Sequence, residues 1–239
     1  MTEIAETSRE RSQTVLRGIS IMTLAMLIVP SMDVLAKLLT AEMPALEVAF
    51  GRFVGQLLAA VVVAVVLGEG RRLIPPKLGG HLLRSLFLAA TSLMFFSALA
   101  TMPLPDALAI AFAEPMILTA VSPWLLGESV GWRRWAACGV GFLGTLMIIR
   151  PSFEAFGLTA FLPLGAAFTF AGYHVMTRRL AGEGSLVAVQ FVTGLVGTLA
   201  LGLTLAAVST AGLLAQPPVL PSGLSLVWFL GIGVLSFVT

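Results

Sequence analysis

Long apolar runs alternate with short, turn-rich stretches along this 239-residue chain. Eight runs approach the ~20 residues needed to cross a bilayer core: roughly 17–38, 46–67, 82–101, 105–126, 133–150, 157–177, 186–208 and 224–239. The stretches between them carry breakers: Gly68-Glu69-Gly70, Pro75-Pro76, Gly79-Gly80, Pro103, Pro105, Gly127, Pro151, Gly182, Gly184 and Pro217-Pro218. None is long enough for a separate soluble domain. The period-two alternation of barrel strands is missing, so helices are the economical way to satisfy the backbone in lipid. The pattern predicts an all-α integral membrane protein with eight transmembrane helices.

Composition agrees. Hydrophobic residues make up 58% of the chain and charged residues 11%, against roughly a quarter charged in soluble domains. Charge placement adds an orientation. With the N-terminus in the cytoplasm, the inner segments hold Arg9, Arg11, Arg17, Arg71, Arg72, Lys77, Arg84, Arg133, Arg134, Arg178 and Arg179, eleven of the 14 basic residues. Positive charge accumulates on the cytoplasmic side of membrane proteins. The single cysteine, Cys138, lies in an apolar run and reads as a small core residue, since one thiol makes neither an internal disulfide nor a zinc site. Residues 1–16 lack the apolar core of a secretory signal and read as a solvated tail.

An offset of 141 residues aligns the chain weakly with itself. Val34-Leu-Ala-Lys37 falls on Val175-Met-Thr-Arg178, Phe50 on Phe191 and Phe87 on Trp228. Spans one, two and three then pair with six, seven and eight. Five helices per repeat, an odd number, force the two repeats into opposite orientations. In this frame the counterparts of spans four and five fall beyond Thr239, so the chain reads as eight helices of an intended ten.

The segment Phe96-Ser-Ala-Leu-Ala-Thr-Met-Pro-Leu-Pro-Asp-Ala-Leu-Ala-Ile-Ala-Phe-Ala-Glu-Pro115 resembles the drug/metabolite transporter superfamily, specifically its EamA-type branch. The resemblance continues through Trp124-Leu-Leu-Gly-Glu128, Trp135, Gly139, Gly141 and Gly144 to Arg150-Pro151, and includes Asp33 and Lys37. It implies a ten-helix inverted-repeat carrier with both termini cytoplasmic and a central substrate cavity. Residues 17–150 would form the first five-helix repeat, and residues 157–239 an incomplete second repeat of three helices.

Ionisable residues within spans are costly and mark function by default. Glu114 lies near the middle of span four. Pro115 follows it and removes a backbone donor, which predicts a kink. A carboxylate there suits a substrate or proton site; the structural alternative is a protonated Glu bonding between helices. Asp33 on span one either pairs with Lys37 one turn away or faces the cavity. Arg52 on span two either pairs with Asp33 across helices or holds an anionic substrate group, which its fork geometry suits. Tyr173 and His174 lie near the inner end of span six and Gln190 on span seven, where they can line the approach or simply pack. Asp106 is expected to cap span four, and Glu47 to be wet. Glycines 139, 141, 144, 194, 197 and 202 permit close helix packing, within the chain or between copies.

There is no Gly-rich loop ending in Lys-Ser/Thr, no His-Glu-x-x-His and no Gly-x-Ser-x-Gly, the signatures of ATP use, metalloprotease and hydrolase chemistry. The reading is therefore a transporter and not an enzyme. It would move small metabolites or drugs by alternating access, as an exporter in the inner (plasma) membrane with a cytoplasmic N-terminus. No cofactor, metal or nucleic acid is expected. The partners are a small-molecule substrate and the lipid bilayer, with monomer and homodimer both open. The alternatives are a truncated membrane protein that only packs with a partner, and an intramembrane enzyme.

Overall fold

The computed structural model describes residues 23, 27–70, 73–127, 130–212, 219 and 221–238. They form helices, with no strand among them. Helix α1 is described over 27–39. It is followed by α2 (Ala45–Val66), α3 (Leu78–Thr101), α4 (Leu104–Ala111), α5 (Glu114–Leu126), α6 (Trp132–Phe156), a short 3-10 turn (Gly157–Ala160), α7 (Phe161–Arg179), α8 (Leu186–Thr210) and α9 (Leu224–Val238). Among the described residues, five stretches are long and apolar enough to cross a membrane: Ala45–Val66, Leu78–Thr101, Leu104–Leu125, Glu154–Arg179 and Leu186–Thr210. The N-terminal tail, the Arg71-Arg72 pair, Glu128 and Pro217-Pro218 lie outside the described residues.

Local sequence explains the helix limits. Pro44 and Pro103 stand just before α2 and α4, where a missing N–H costs nothing. Ser185 caps α8 by accepting from the Ala188 N–H at 3.2 Å. Gly127 ends α5 with φ of 68°, a left-handed conformation that glycine adopts without a Cβ clash. The fourth span is two helices. Pro115 lacks the N–H that would bond to the Ala111 carbonyl, and its ring crowds that carbonyl. The helix therefore breaks at Phe112-Ala113, and Glu114 becomes the first residue of α5. Asp106 lies in the first turn of α4, and the N-cap is Pro103 with no side-chain cap bond.

The bundle has two ends. Lys77, Arg133, Arg134, Arg178 and Arg179 gather at one, here the basic end. There Lys77 Nζ pairs with Glu183 Oε1 at 2.6 Å, Ser185 Oγ donates to Glu69 at 2.9 Å, and Arg179 Nε donates to the Leu125 carbonyl at 3.1 Å. At the far end Glu47 is buried and accepts the Val219 N–H at 3.1 Å. It is not the wet residue the sequence suggests.

Helix α2 packs against α8, α9 and α3, while α3 also packs against α7 and α8. Small residues allow the closest of these approaches. A Cβ on Gly55 would stand 2.5 Å from the Gly233 Cα, and one on Gly194 would stand 2.8 Å from the Leu57 backbone. Gly194, Gly197 and Gly202 thus serve packing within the chain, against Leu57, Phe53 and Phe50. Gly139 and Gly144 face open space. Cys138 is half-buried on α6 against the Met116 carbonyl rather than deep in the core.

The apolar core gathers Leu39, Phe53, Phe96, Leu99 and Met102. Large apolar side chains also cover the outside: Leu58, Val62, Val66, Phe168, Leu199 and Leu203 are all exposed. The inside, by contrast, holds Asp33, Arg52, Gln56, Arg84, Ser92, Gln190 and Thr193. An apolar exterior around a polar interior is the arrangement a bilayer favours, where intramembrane charges face the bundle rather than lipid.

Candidate functional site

The buried polar groups form two clusters and a separate glutamine pair. The first surrounds Arg52, the eighth residue of α2 and so about 10 Å along the axis from its first residue. Arg52 is 7% exposed. Its Nε donates to Ser236 Oγ on α9 at 2.8 Å and its Nη1 to Ser92 Oγ on α3 at 2.5 Å. The guanidinium also lies 5.3 Å from the Phe53 ring centre. Asp33, buried on α1, acts on Arg52 electrostatically. The direct Asp33–Arg52 pair suggested by the sequence is not among the described contacts: the two are within electrostatic range, and the hydrogen bonds of Arg52 go to serines.

Lys37 does not serve Asp33. Its Nζ donates to the Leu99 carbonyl at 2.6 Å and the Met102 carbonyl at 2.9 Å. These lie at the C-terminal end of α3, where carbonyls lack intrahelical partners and a cation meets the negative end of the helix dipole.

One turn further along α2, Gln56 Nε2 donates to Gln190 Oε1 at 2.9 Å, and Gln190 Nε2 donates to the Phe237 carbonyl at 2.8 Å. Gln56 Oε1 is buried and has no hydrogen-bond partner among the described residues.

The second cluster centres on Arg84, the seventh residue of α3 and so about 9 Å from its basic-end start. Arg84 is 5% exposed. Its Nε donates to Thr177 Oγ1 at 2.9 Å, Nη1 to Thr193 Oγ1 at 3.3 Å and Nη2 to the Tyr173 hydroxyl at 2.8 Å. The guanidinium lies 4.7 Å from the Tyr173 ring centre. Phe170, Tyr173 and His174 form an aromatic group on α7. Phe170 and Tyr173 are near parallel at 5.6 Å, and His174 meets both rings edge-on. Glu114 approaches this group from α5, with its Oε1 4.0 Å from His174 Nε2. The helix break at Phe112-Ala113 sets α5 against α7 and so turns Glu114 toward His174. Pro115 also lines a depression of about 260 Å³ between α5 and α6, with Met116, Thr119, Arg134, Ala137 and Cys138.

Six side chains were candidates from the sequence. Asp33 and Arg52 come together, Glu114 and His174 come together, Tyr173 joins the Arg84 cluster, and Gln190 bridges to Gln56. Arg84 itself was counted only among the basic flanks. The signal that finds it is a stripe on α3. His81, Arg84, Ser85 and Ser92 follow spacings of three, four and seven, one helical face, and all four are buried.

A family model described as the EamA-like transporter family matches residues 16–150. The chain belongs to the EamA-like transporter family. That family is one of transporters rather than enzymes, and with several long apolar helices the chain is a multi-pass membrane protein. A riboflavin transporter of Vibrio cholerae is 31% identical over 145 residues, 60% of this chain and 48% of its own length. An S-adenosylmethionine uptake transporter of Rickettsia prowazekii is 26% identical over 77% of this chain and 62% of its own. A pseudopaline exporter of Pseudomonas aeruginosa is 29% identical over 76% and 64%. The chain thus spans between about half and two-thirds of the length of these relatives. A solved crystal structure at 17% identity superposes with a TM-score of 0.62, covering 90% of this chain and 78% of the other, which supports the fold alone.

Proposed function

We propose that this EamA-family protein is a secondary-active carrier that moves small metabolites by alternating access. The carrying observation is the set of buried polar groups that includes Arg52, Gln56, Gln190 and Arg84, inside a bundle whose exterior is apolar. Burying such groups in the membrane is costly, and a path for a polar solute gives that cost a use. In this reading Asp33 and Arg52 line the far-end approach, and Tyr173, His174 and Glu114 line the approach from the basic end. Gln190 stands between them. Glu114, at the helix break, is the group that meets substrate or proton.

The basic end faces the cytoplasm, with the N-terminus inside the inner membrane. Residues 17–150 are one five-helix repeat and residues 157–239 belong to a second, inverted repeat. The repeat offset supports this, since it pairs Asp33 with His174 and Arg52 with Thr193, residues of the two opposite clusters. The direction we propose is export. The pseudopaline exporter is a precedent for it, and the S-adenosylmethionine uptake transporters for the reverse.

Reconstitution into liposomes of known sidedness, with a panel of vitamins, nucleosides and amino acids, tests the carrier. Accumulation or counterflow of at least one solute is expected, with Glu114→Gln reducing it about tenfold or more, the scale of a lost charge-assisted interaction. If no solute moves while the protein remains folded, a role in packing with a partner replaces the carrier reading.

A further inference from the structure

We propose that Arg84, framed by Tyr173, Thr177 and Thr193, is an anion-binding site, and that the transported solute carries a carboxylate or phosphate group that docks there. The proposal rests on the carrier reading and adds a substrate class to it.

The inference starts from charge. Arg84 is buried at 5% exposure, and each of its hydrogen bonds goes to a neutral hydroxyl. Several carboxylates among the described residues have other partners. Glu183 is paired with Lys77 at 2.6 Å, Glu114 meets His174, and Asp33 acts on Arg52. A buried arginine is retained at low cost only when something neutralises it.

The geometry suits an incoming oxyanion. A guanidinium has five N–H groups. The three bonds to hydroxyls use one on each of Nε, Nη1 and Nη2, which leaves one on each terminal nitrogen. Those two N–H groups are what Arg84 has left to offer the oxygens of a carboxylate or phosphate, the groups arginine binds through paired bonds. The Tyr173 ring beside the guanidinium holds its plane. The Thr177 and Thr193 hydroxyls donate to the Tyr173 and Val189 carbonyls, both at 2.8 Å, so their oxygens are fixed as acceptors and do not compete for the anion. Arg52 differs, because Asp33 already answers its charge.

The test is ligand-induced thermal stabilisation of the full chain in nanodiscs of zwitterionic lipid. The probes are matched pairs: riboflavin and flavin mononucleotide, a nucleoside and its 5′-monophosphate, an amino acid and its amide. The acidic member of at least one pair should bind at least tenfold tighter than its neutral partner. Arg84→Gln should abolish that preference, bringing the acidic member down to the affinity of its neutral partner. Arg84→Lys keeps a charge without the fork and should retain an intermediate preference. It also carries the test if Arg84→Gln does not fold. Equal binding of both members in every pair overturns the proposal, as does an Arg84→Gln effect that weakens both alike, which marks a purely structural arginine. A shift given only by added phosphatidylglycerol, and by none of the soluble anions, overturns it in favour of a lipid headgroup. The carrier reading is judged separately by flux. Flux of neutral solutes with no flux of any acidic member sinks the anion site alone, and anion binding without any flux sinks the carrier alone.

Discussion

Among the described residues the bundle buries two arginines, each about two helical turns in from opposite ends, and it treats them differently. Arg52 has serine partners and a buried carboxylate, Asp33, in electrostatic range. Arg84 has hydroxyl partners and a tyrosine ring, and among the described residues no carboxylate bonds to it. The two meet on one helix: Ser92, which holds Arg52, and Arg84 are eight residues apart on α3, about 12 Å. A charge neutralised from within is a structural element, because removing either half strands the other. A charge held only by neutral groups can exchange its missing counter-ion with the outside, which is what a solute site requires.

Stability measurements can break this comparison. The largest effect is expected at Arg52. Arg52→Leu leaves Asp33 buried without its cation and should cost about 3–5 kcal/mol, the usual scale for stranding one member of a buried pair. Adding Asp33→Leu should restore about half of the loss or more, since the uncompensated charge is then gone. Denaturant titration in mixed micelles measures both. If the double variant is no more stable than the single, Asp33 does not neutralise Arg52 and the contrast between the two sites fails.

Two intermediate effects follow. Arg84→Leu strands no carboxylate, and Thr177 and Thr193 keep their bonds to carbonyls of their own helix. Its cost should be about 1–2 kcal/mol, well below that of Arg52→Leu, from the lost hydroxyl bonds. A loss equal to that at Arg52 would reveal an unrecognised anionic partner. Lys37→Met removes the cation that holds the Leu99 and Met102 carbonyls. It should also cost about 1–2 kcal/mol, together with faster amide exchange at the end of α3. That effect should be unchanged by Asp33→Asn, because Lys37 serves the helix end and not the aspartate.

How much of this was legible in the sequence divides by range. The helices follow from apolar run length, and the nearness of Asp33 to Arg52, though not the serine partners of Arg52, from the cost of a lone charge in lipid. Both rest on physics that acts locally or between neighbouring spans. The Gly194 and Gly197 packing was legible because small residues in a span have few other uses. The break at Phe112-Ala113 was legible only as a kink near Pro115, since proline acts on the turn before it. The partners of Lys37 were not legible, because they are backbone carbonyls 62 and 65 residues away, and no residue type signals them. Arg84 was hidden by its position near the start of a span, where positive flanks are common. Only its alignment with His81, Ser85 and Ser92 on one face separates it from an anchoring arginine.

The smallest expected effect tests the hydroxyl frame itself. Tyr173→Phe removes one oxygen from Arg84 but keeps the ring beside the guanidinium and the near-parallel contact with Phe170. The loss should be about 0.5–1.5 kcal/mol, one net hydrogen bond. In an Arg84→Gln background the same substitution should cost markedly less, because the hydroxyl no longer has the guanidinium to receive. A double-mutant cycle isolates that coupling. Full additivity would mean that the tyrosine hydroxyl has no energetic share in holding Arg84, and that ring contact with the two threonines alone keeps this charge in place. A coupling near one hydrogen bond would instead mean that the frame holds Arg84 in small increments, in contrast to the single large electrostatic dependence expected at Arg52.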